Sequence, residues 1–284
     1  MLAERITDSV AYHAEGPVWS PQWGGLRWVD MLAGDVLSLG TDGRVGRLPV
    51  GSPVAAAVRP RRAGGAVIGI ERGFALERAD GTITPLGELW GEHERIRMNE
   101  GGCDPDGRFY CGTMSYDRVA GAGTVYRLDP DGSVHTVLTD VTTSNGLDWS
   151  PEGTLAYYID TDTLRVDVFD YDGDAGLTNR RPFVQIGDDA GRPDGLTVDA
   201  EGGVWVALHR GGAVRRYAAD GTLSAVIEVP VAKVTACTLG GTNLDQLFIT
   251  TSREGLAPDE EPAAGSLFLA EVAVRGKPVL AFAG

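Results

Sequence analysis

An internal repeat constrains this chain more than any single residue does. The unit starts at a small polar or acidic residue, often followed by Gly, and runs through an alternating strand to a Pro/Asp/Gly turn. An apolar strand follows, then a hairpin into a V-Y-R-L-like strand that closes on D-G. NEGGCDPDGRFYCGTM then GTVYRLDPDGS, SNGLDWSPEGTLAYYIDT then RVDVFDYDGD, and PDGLTVDAEGGVWVALHR then GAVRRYAADGT are three such copies. AEGPVWSPQWGGLRWVDM opens the first, and the second and sixth keep the pattern with weaker openings. Counted from Glu15, Val54, Asn99, Asn145, Asp194 and Thr235, the period is 39 to 49 residues, the length of a four-stranded propeller blade.

The strands read with period two, as in Val204, Val206 and Leu208 alternating with Trp205, Ala207 and His209. Only residues 87–97, GELWGEHERIR, suggest a turn of helix. The expected fold is therefore all-β: one domain over residues 1–284, a six-bladed β-propeller of four-stranded blades around a central metal-binding channel. A β-sandwich with irregular strands is the competing architecture. Six repeats must close, because an open ring would leave strand edges exposed. The segment ERITDSV (4–10) is expected to pair beside KPVLAFAG (277–284) and seal it. Trp19, Trp28, Trp149 and Trp205 are read as packing between blades.

A net charge of −15 argues against nucleic acid and anionic membrane surfaces, which require a basic face. A small molecule of little charge, or a cation, is the expected partner. No apolar run approaches the roughly 20 residues that span a bilayer, and the N-terminal stretch carries no secretory pattern, so a cytoplasmic location is the default expectation. The three cysteines, Cys103, Cys111 and Cys237, have no C-x-x-C spacing and read as buried free thiols.

In a propeller, equivalent repeat positions converge on the axis. The opening position holds Glu15, Asn99, Asn145 and Asp194 in four copies. Carboxylates facing each other across a narrow channel repel unless a cation lies between them. All the donors are oxygen, which favours Ca²⁺, Mg²⁺ or Mn²⁺ over a soft-ligand zinc site. N-G and D-G pairs are also ordinary turn signals, but here they recur at repeat starts rather than ends.

Five motifs in order, EGPVW, R-x-N before DPDGRFYCGTM, SNGLDWSPEG, PDGLTVDAEGGVWVAL and KVTACTLGG, resemble the senescence marker protein/gluconolactonase family, which includes regucalcin and sugar lactonases. The resemblance covers essentially the whole chain. It implies Glu15, Asn145 and Asp194 as ligands of one divalent metal, Asp194 as the acid/base, and Arg97 and Asn99 as substrate contacts. Calcium is the first expectation, and family members described with zinc, manganese or iron(II) keep Mn²⁺, Mg²⁺, Zn²⁺ and Fe²⁺ open. Two positions depart from the pattern: Glu100 stands where the family often has Asp, and Tyr116 where some members place a substrate-binding Glu.

The implied activity is metal-dependent hydrolysis of a sugar lactone to its aldonic acid, with the metal as Lewis acid and Asp194 moving the proton. Glu100, Tyr116 and His209 complete the expected substrate-binding set. His13 is a candidate to orient Glu15, and Tyr116 with the following DRVAGAG stretch reads as a lid or a plain hairpin connection. No G-x-S-x-G elbow is present. The alternatives are a non-catalytic divalent-metal-binding protein, a docking scaffold with a structural ion, and a phosphotriesterase-like hydrolase.

Overall fold

In the computed structural model, which describes residues 1–257 and 259–284, the six repeats form six four-stranded antiparallel sheets, the blades of a β-propeller. The inner strands are Ala14–Ser20, Ala55–Pro60, Ile96–Cys103, Ser144–Trp149, Arg192–Val198 and Val234–Gly240 for blades 1 to 6. Each packs against the inner strand of the next blade, and blade 6 against blade 1, closing the ring. No described helix is long and apolar enough to cross a membrane.

The core lies between blades because each sheet is apolar on both faces. Trp205 of blade 5 packs with Leu239, Leu247 and Ile249 of blade 6. Trp28 packs with Phe248 and Leu267 of blade 6. The Trp149 ring lies 5.3 Å from Tyr110 of blade 3, and Trp19 stacks on Phe248 at 5.5 Å. Cys103, Cys111 and Cys237 are free and buried. Residues Glu92–Glu94 form one 3-10 turn, all that the helical signal near residue 90 produces.

The D-G pairs that close repeats are outer hairpin turns. Asp42, Asp80, Asp131 and Asp220 each accept the backbone N–H two residues on, an Asx-turn with glycine in the left-handed region next to the Asp.

Ring closure follows another route than the expected one. The N-terminal strand is Glu4–Arg5, and it pairs with Phe268–Glu271 to complete blade 6. The terminal KPVLAFAG segment joins no sheet. It runs across the far end of the channel, with Lys277 Nζ donating to Asp148 Oδ1 at 2.7 Å and Phe282 hydrogen-bonded between Pro60 and Arg62. Pro278 has no N–H for a ladder, and buried Phe282 gains more from the core between blades 2 and 3 than from a sheet edge. Beneath the tail lies a space of about 60 Å³ bordered by Arg59, Glu100, Cys103, Lys277, Val279 and Leu280. It has room for water and none for a sugar ring.

Candidate functional site

Every inner strand breaks register with its neighbour at the same level. The shifts fall between Glu15 and Val18, Ala55 and Ala57, Met98 and Glu100, Ser144 and Leu147, Pro193 and Leu196, and Val234 and Ala236. A bulge bends the strand and re-aims its side chain, so six bulges make a ring of re-aimed positions. Asn99, Asn145 and Asp194 sit within three of them, and Glu15 borders a fourth. The glycines that follow two of these residues serve closeness rather than turning. A Cβ at Gly146 would stand 2.5 Å from Leu196 N, and one at Gly195 2.4 Å from Ala236 Cβ.

The bulges open into a cavity of about 410 Å³ lined by Glu15, Arg97, Asn99, Asn145, Asp194 and His209, with Tyr116 at its rim, within the size range of small-molecule sites. The structure thus brings seven of the eight sequence-predicted site residues to one cavity. Glu100 is the exception and does not line this cavity. It holds a paired ladder position opposite Gly112, next to the bulged Asn99, and borders the lower space instead. Its carboxylate meets those of Glu15 and Asp194, with one oxygen of each within 4.8 Å of the others.

A hydrogen-bond relay fixes the amides around the ring. Arg97 Nη1 donates to Asn99 Oδ1 at 2.6 Å, and Asn99 Nδ2 donates to Ser144 O at 2.7 Å and Asn145 Oδ1 at 3.0 Å. Asn145 Nδ2 donates to Thr161 Oγ1 at 2.7 Å, and Thr161 Oγ1 donates to Pro193 O at 2.8 Å. Because Thr161 takes the amide NH₂, Asn145 keeps its carbonyl oxygen as an acceptor.

The carboxylates carry opposing demands. Burial, then Asp194 and Glu100, push Glu15 well above the usual carboxylate range, while the Gly16 N–H opposes this. Burial and then Glu100 do the same to Asp194. Burial raises Glu100 to about 7. Clustered acids with raised proton affinity and an oriented amide oxygen fit a hard divalent cation, which neutralises their repulsion and is bound through oxygen.

Around this centre, His13 stands 3.7 Å from Glu15 Oε1 and contacts Ser252 Oγ through Nδ1 at 2.7 Å. Burial, aided by Arg97, lowers His13 to about 3. Burial and Lys233 lower His209 to about 4. Both rings are neutral near pH 7. The Tyr116 hydroxyl donates to Glu71 Oε1 of blade 2 at 2.6 Å, and its ring lies 6.0 Å from the Arg97 guanidinium carbon. The stretch after Tyr116 is a turn connection, with Tyr116 N bonded to Arg95 O and Gly121 N to Thr142 Oγ1.

Sequence reasoning missed Thr161, Ser252 and Glu254. The residues following the second strands of blades 3, 4 and 5, Tyr116, Thr161 and Arg210, line the cavity, but they share no residue type by which the sequence could have flagged them.

The sequence model of the SMP-30/Gluconolactonase/LRE-like region matches residues 13–253. The chain is 35% identical to the pentonolactonase XacC of Haloferax volcanii, over 98% of this chain and 97% of that one. It is 34% identical to regucalcin of Homo sapiens, over 95% and 94%. The crystal structure of a calcium-binding regucalcin from Agrobacterium tumefaciens superposes with a TM-score of 0.92 at 28% identity, covering 99% of this chain and 97% of that chain.

Proposed function

The chain belongs to the SMP-30/gluconolactonase/LRE-like family, and from that premise we propose that it hydrolyses a sugar lactone to the open-chain aldonic acid. The observation that carries this reading is the meeting of Glu15, Asn145 and Asp194 with Arg97 and Asn99 on one open cavity. A bare ion-storage site has no use for buried hydrogen-bonding groups beside the ion. A hydrolase needs them to hold a hydroxylated ring.

Glu15, Asn145 and Asp194 would hold a divalent ion, and their oxygen-only donors make Ca²⁺ the first candidate. Such an ion supplies Lewis acidity toward the lactone carbonyl. Asp194 accepts the proton of the attacking water and returns it to the departing ring oxygen. Its burial and its lack of any hydrogen bond from the described residues suit it to proton transfer. Arg97 and Asn99, already fixed by the relay, bond to ring hydroxyls and orient the carbonyl for attack. His209, neutral at the rim, adds a hydrogen bond without charge.

The test is hydrolysis of a panel of aldonolactones by wild type, with and without chelator, and by Asp194→Ala. Turnover that needs the metal and is lost in the variant supports the reading. Wild type that binds metal and leaves every lactone intact would instead make the chain a divalent-metal-binding protein.

A further inference from the structure

We propose that Glu100 is a fourth protein ligand of the divalent ion, bound from the side of the channel opposite the substrate cavity. The proposal rests on the reading that this site holds such an ion.

Two independent observations point to Glu100. The first is position: its carboxylate lies with those of Glu15 and Asp194, ligand oxygens within 4.8 Å of one another. The second is that its Oε2 is buried and has no hydrogen-bond partner among the described residues, in a residue only 4% exposed. Leaving a buried carboxylate oxygen without a partner is strongly unfavourable, so a group left in this state is built for something that comes to it.

No described residue fills that role. Glu15 has the Gly16 N–H, whereas no peptide donor among the described residues reaches Glu100 Oε2. The nearby cations are engaged elsewhere: Arg97 on Asn99 and the Met98 carbonyl, Arg59 on the Val58 carbonyl, and Lys277 on Asp148. Arg59, which lines the same lower space, supplies an opposite charge that favours ionised Glu100 but makes no hydrogen bond to it, so the shared centre with Glu15 and Asp194 is where a cation would meet all three carboxylates.

The placement has a functional consequence. Glu15, Asn145 and Asp194 line the substrate cavity, while Glu100 borders the water-sized space below it. A ligand from below adds a third negative charge and tightens retention of the ion. It occupies no position that substrate needs. It also makes the donor set richer in carboxylate, which favours Ca²⁺ and its high coordination number.

The experiment uses the full chain, stripped with chelator. Ca²⁺ binding is measured by calorimetry, and Tb³⁺ luminescence lifetimes in H₂O and D₂O count the waters left on the ion. Variants are Glu100→Gln, Glu100→Asp, which keeps the charge but shortens the reach, and Glu254→Gln, which removes a cavity-lining carboxylate outside the trio. Glu100→Gln should weaken Ca²⁺ at least tenfold more than Glu254→Gln and add one or two waters to Tb³⁺. Glu100→Asp should also add water. The thermal midpoint of metal-free Glu100→Gln should rise above wild type, because one of three repelling carboxylates is gone, which separates loss of a ligand from loss of fold. Ca²⁺ affinity and water count unchanged in Glu100→Gln overturn the assignment while leaving the proposed activity standing. Wild type that binds neither ion overturns both.

Discussion

Blades 4 and 5 differ sharply from blades 2 and 6 at one shared feature. All four bulge their inner strands at the same level. In blades 4 and 5 the bulge presents Asn145 and Asp194 to the cavity. In blade 2 it holds Ala56, which is wholly buried. In blade 6 it holds Thr235, whose hydroxyl donates to Ala14 O at 2.6 Å and lies 2.9 Å from Thr250 Oγ1. The bulge is thus a property of the fold, imposed by closing six strands around an axis. What differs is which bulged side chain keeps an oxygen turned to the cavity. Asn145 and Asp194 line it, whereas Ala56 has no polar atom to offer and Thr235 spends its hydroxyl inside the ring.

The contrast can be broken by substitution, and the largest effect belongs to Asp194. Asp194→Asn keeps shape and packing but removes the proposed base, and lactone turnover should fall by about 10²–10⁴-fold with the fold intact by circular dichroism. Retained turnover would remove Asp194 from the mechanism. Next is the backbone beside it. Gly195→Ala places a methyl 2.4 Å from Ala236 Cβ and should cost about 1–3 kcal/mol of stability by forcing two inner strands apart, read as a lowered denaturant midpoint.

Thr161→Val frees the Asn145 amide, and metal affinity should drop by about tenfold or more, with calorimetry as the check. An unchanged affinity would mean that the relay does not orient Asn145. Thr235→Val in blade 6 probes the quiet counterpart and should cost about 1 kcal/mol while metal affinity stays at the wild-type value.

The smallest effect concerns His209. Its ordinary value of 6.5 is lowered to about 4 by burial and then Lys233. Between those values His209 binds more proton in the unfolded chain than in the folded one, so its own contribution to stability falls as pH falls through that window. Glu and Asp residues titrate there too, but they are common to wild type and His209→Gln. The melting difference between the two should shift in favour of the variant from pH 6.5 down to 4 and be constant above 6.5. A constant difference across the whole range would show that His209 protonates freely in the fold.

The parts of the molecule differed in how readable they were. The propeller and the positions of Glu15, Asn99, Asn145 and Asp194 followed from the repeat, because an inner strand returns one residue to the axis in each blade. The upper ring did not announce itself. Met31, Glu71, Tyr116, Thr161, Arg210 and Ser252 follow the second strands of the six blades and share no residue type. Glu100 was read as a substrate contact, and the sequence could not show that only Asn99 lies in the register shift while Glu100 keeps a ladder position. The terminal segment was misread because an apolar run has the same pattern whether it joins a ladder or lies over a core. Pro278 was the sign against a ladder.

That segment has one more implication. With its backbone laid over the far opening and only water-sized room beneath it, the ring is a cup rather than a tube. Reactant and the acid it becomes must therefore use the same doorway, so a spent molecule has to vacate before the next one docks. Accumulating aldonate should then compete with fresh lactone for entry.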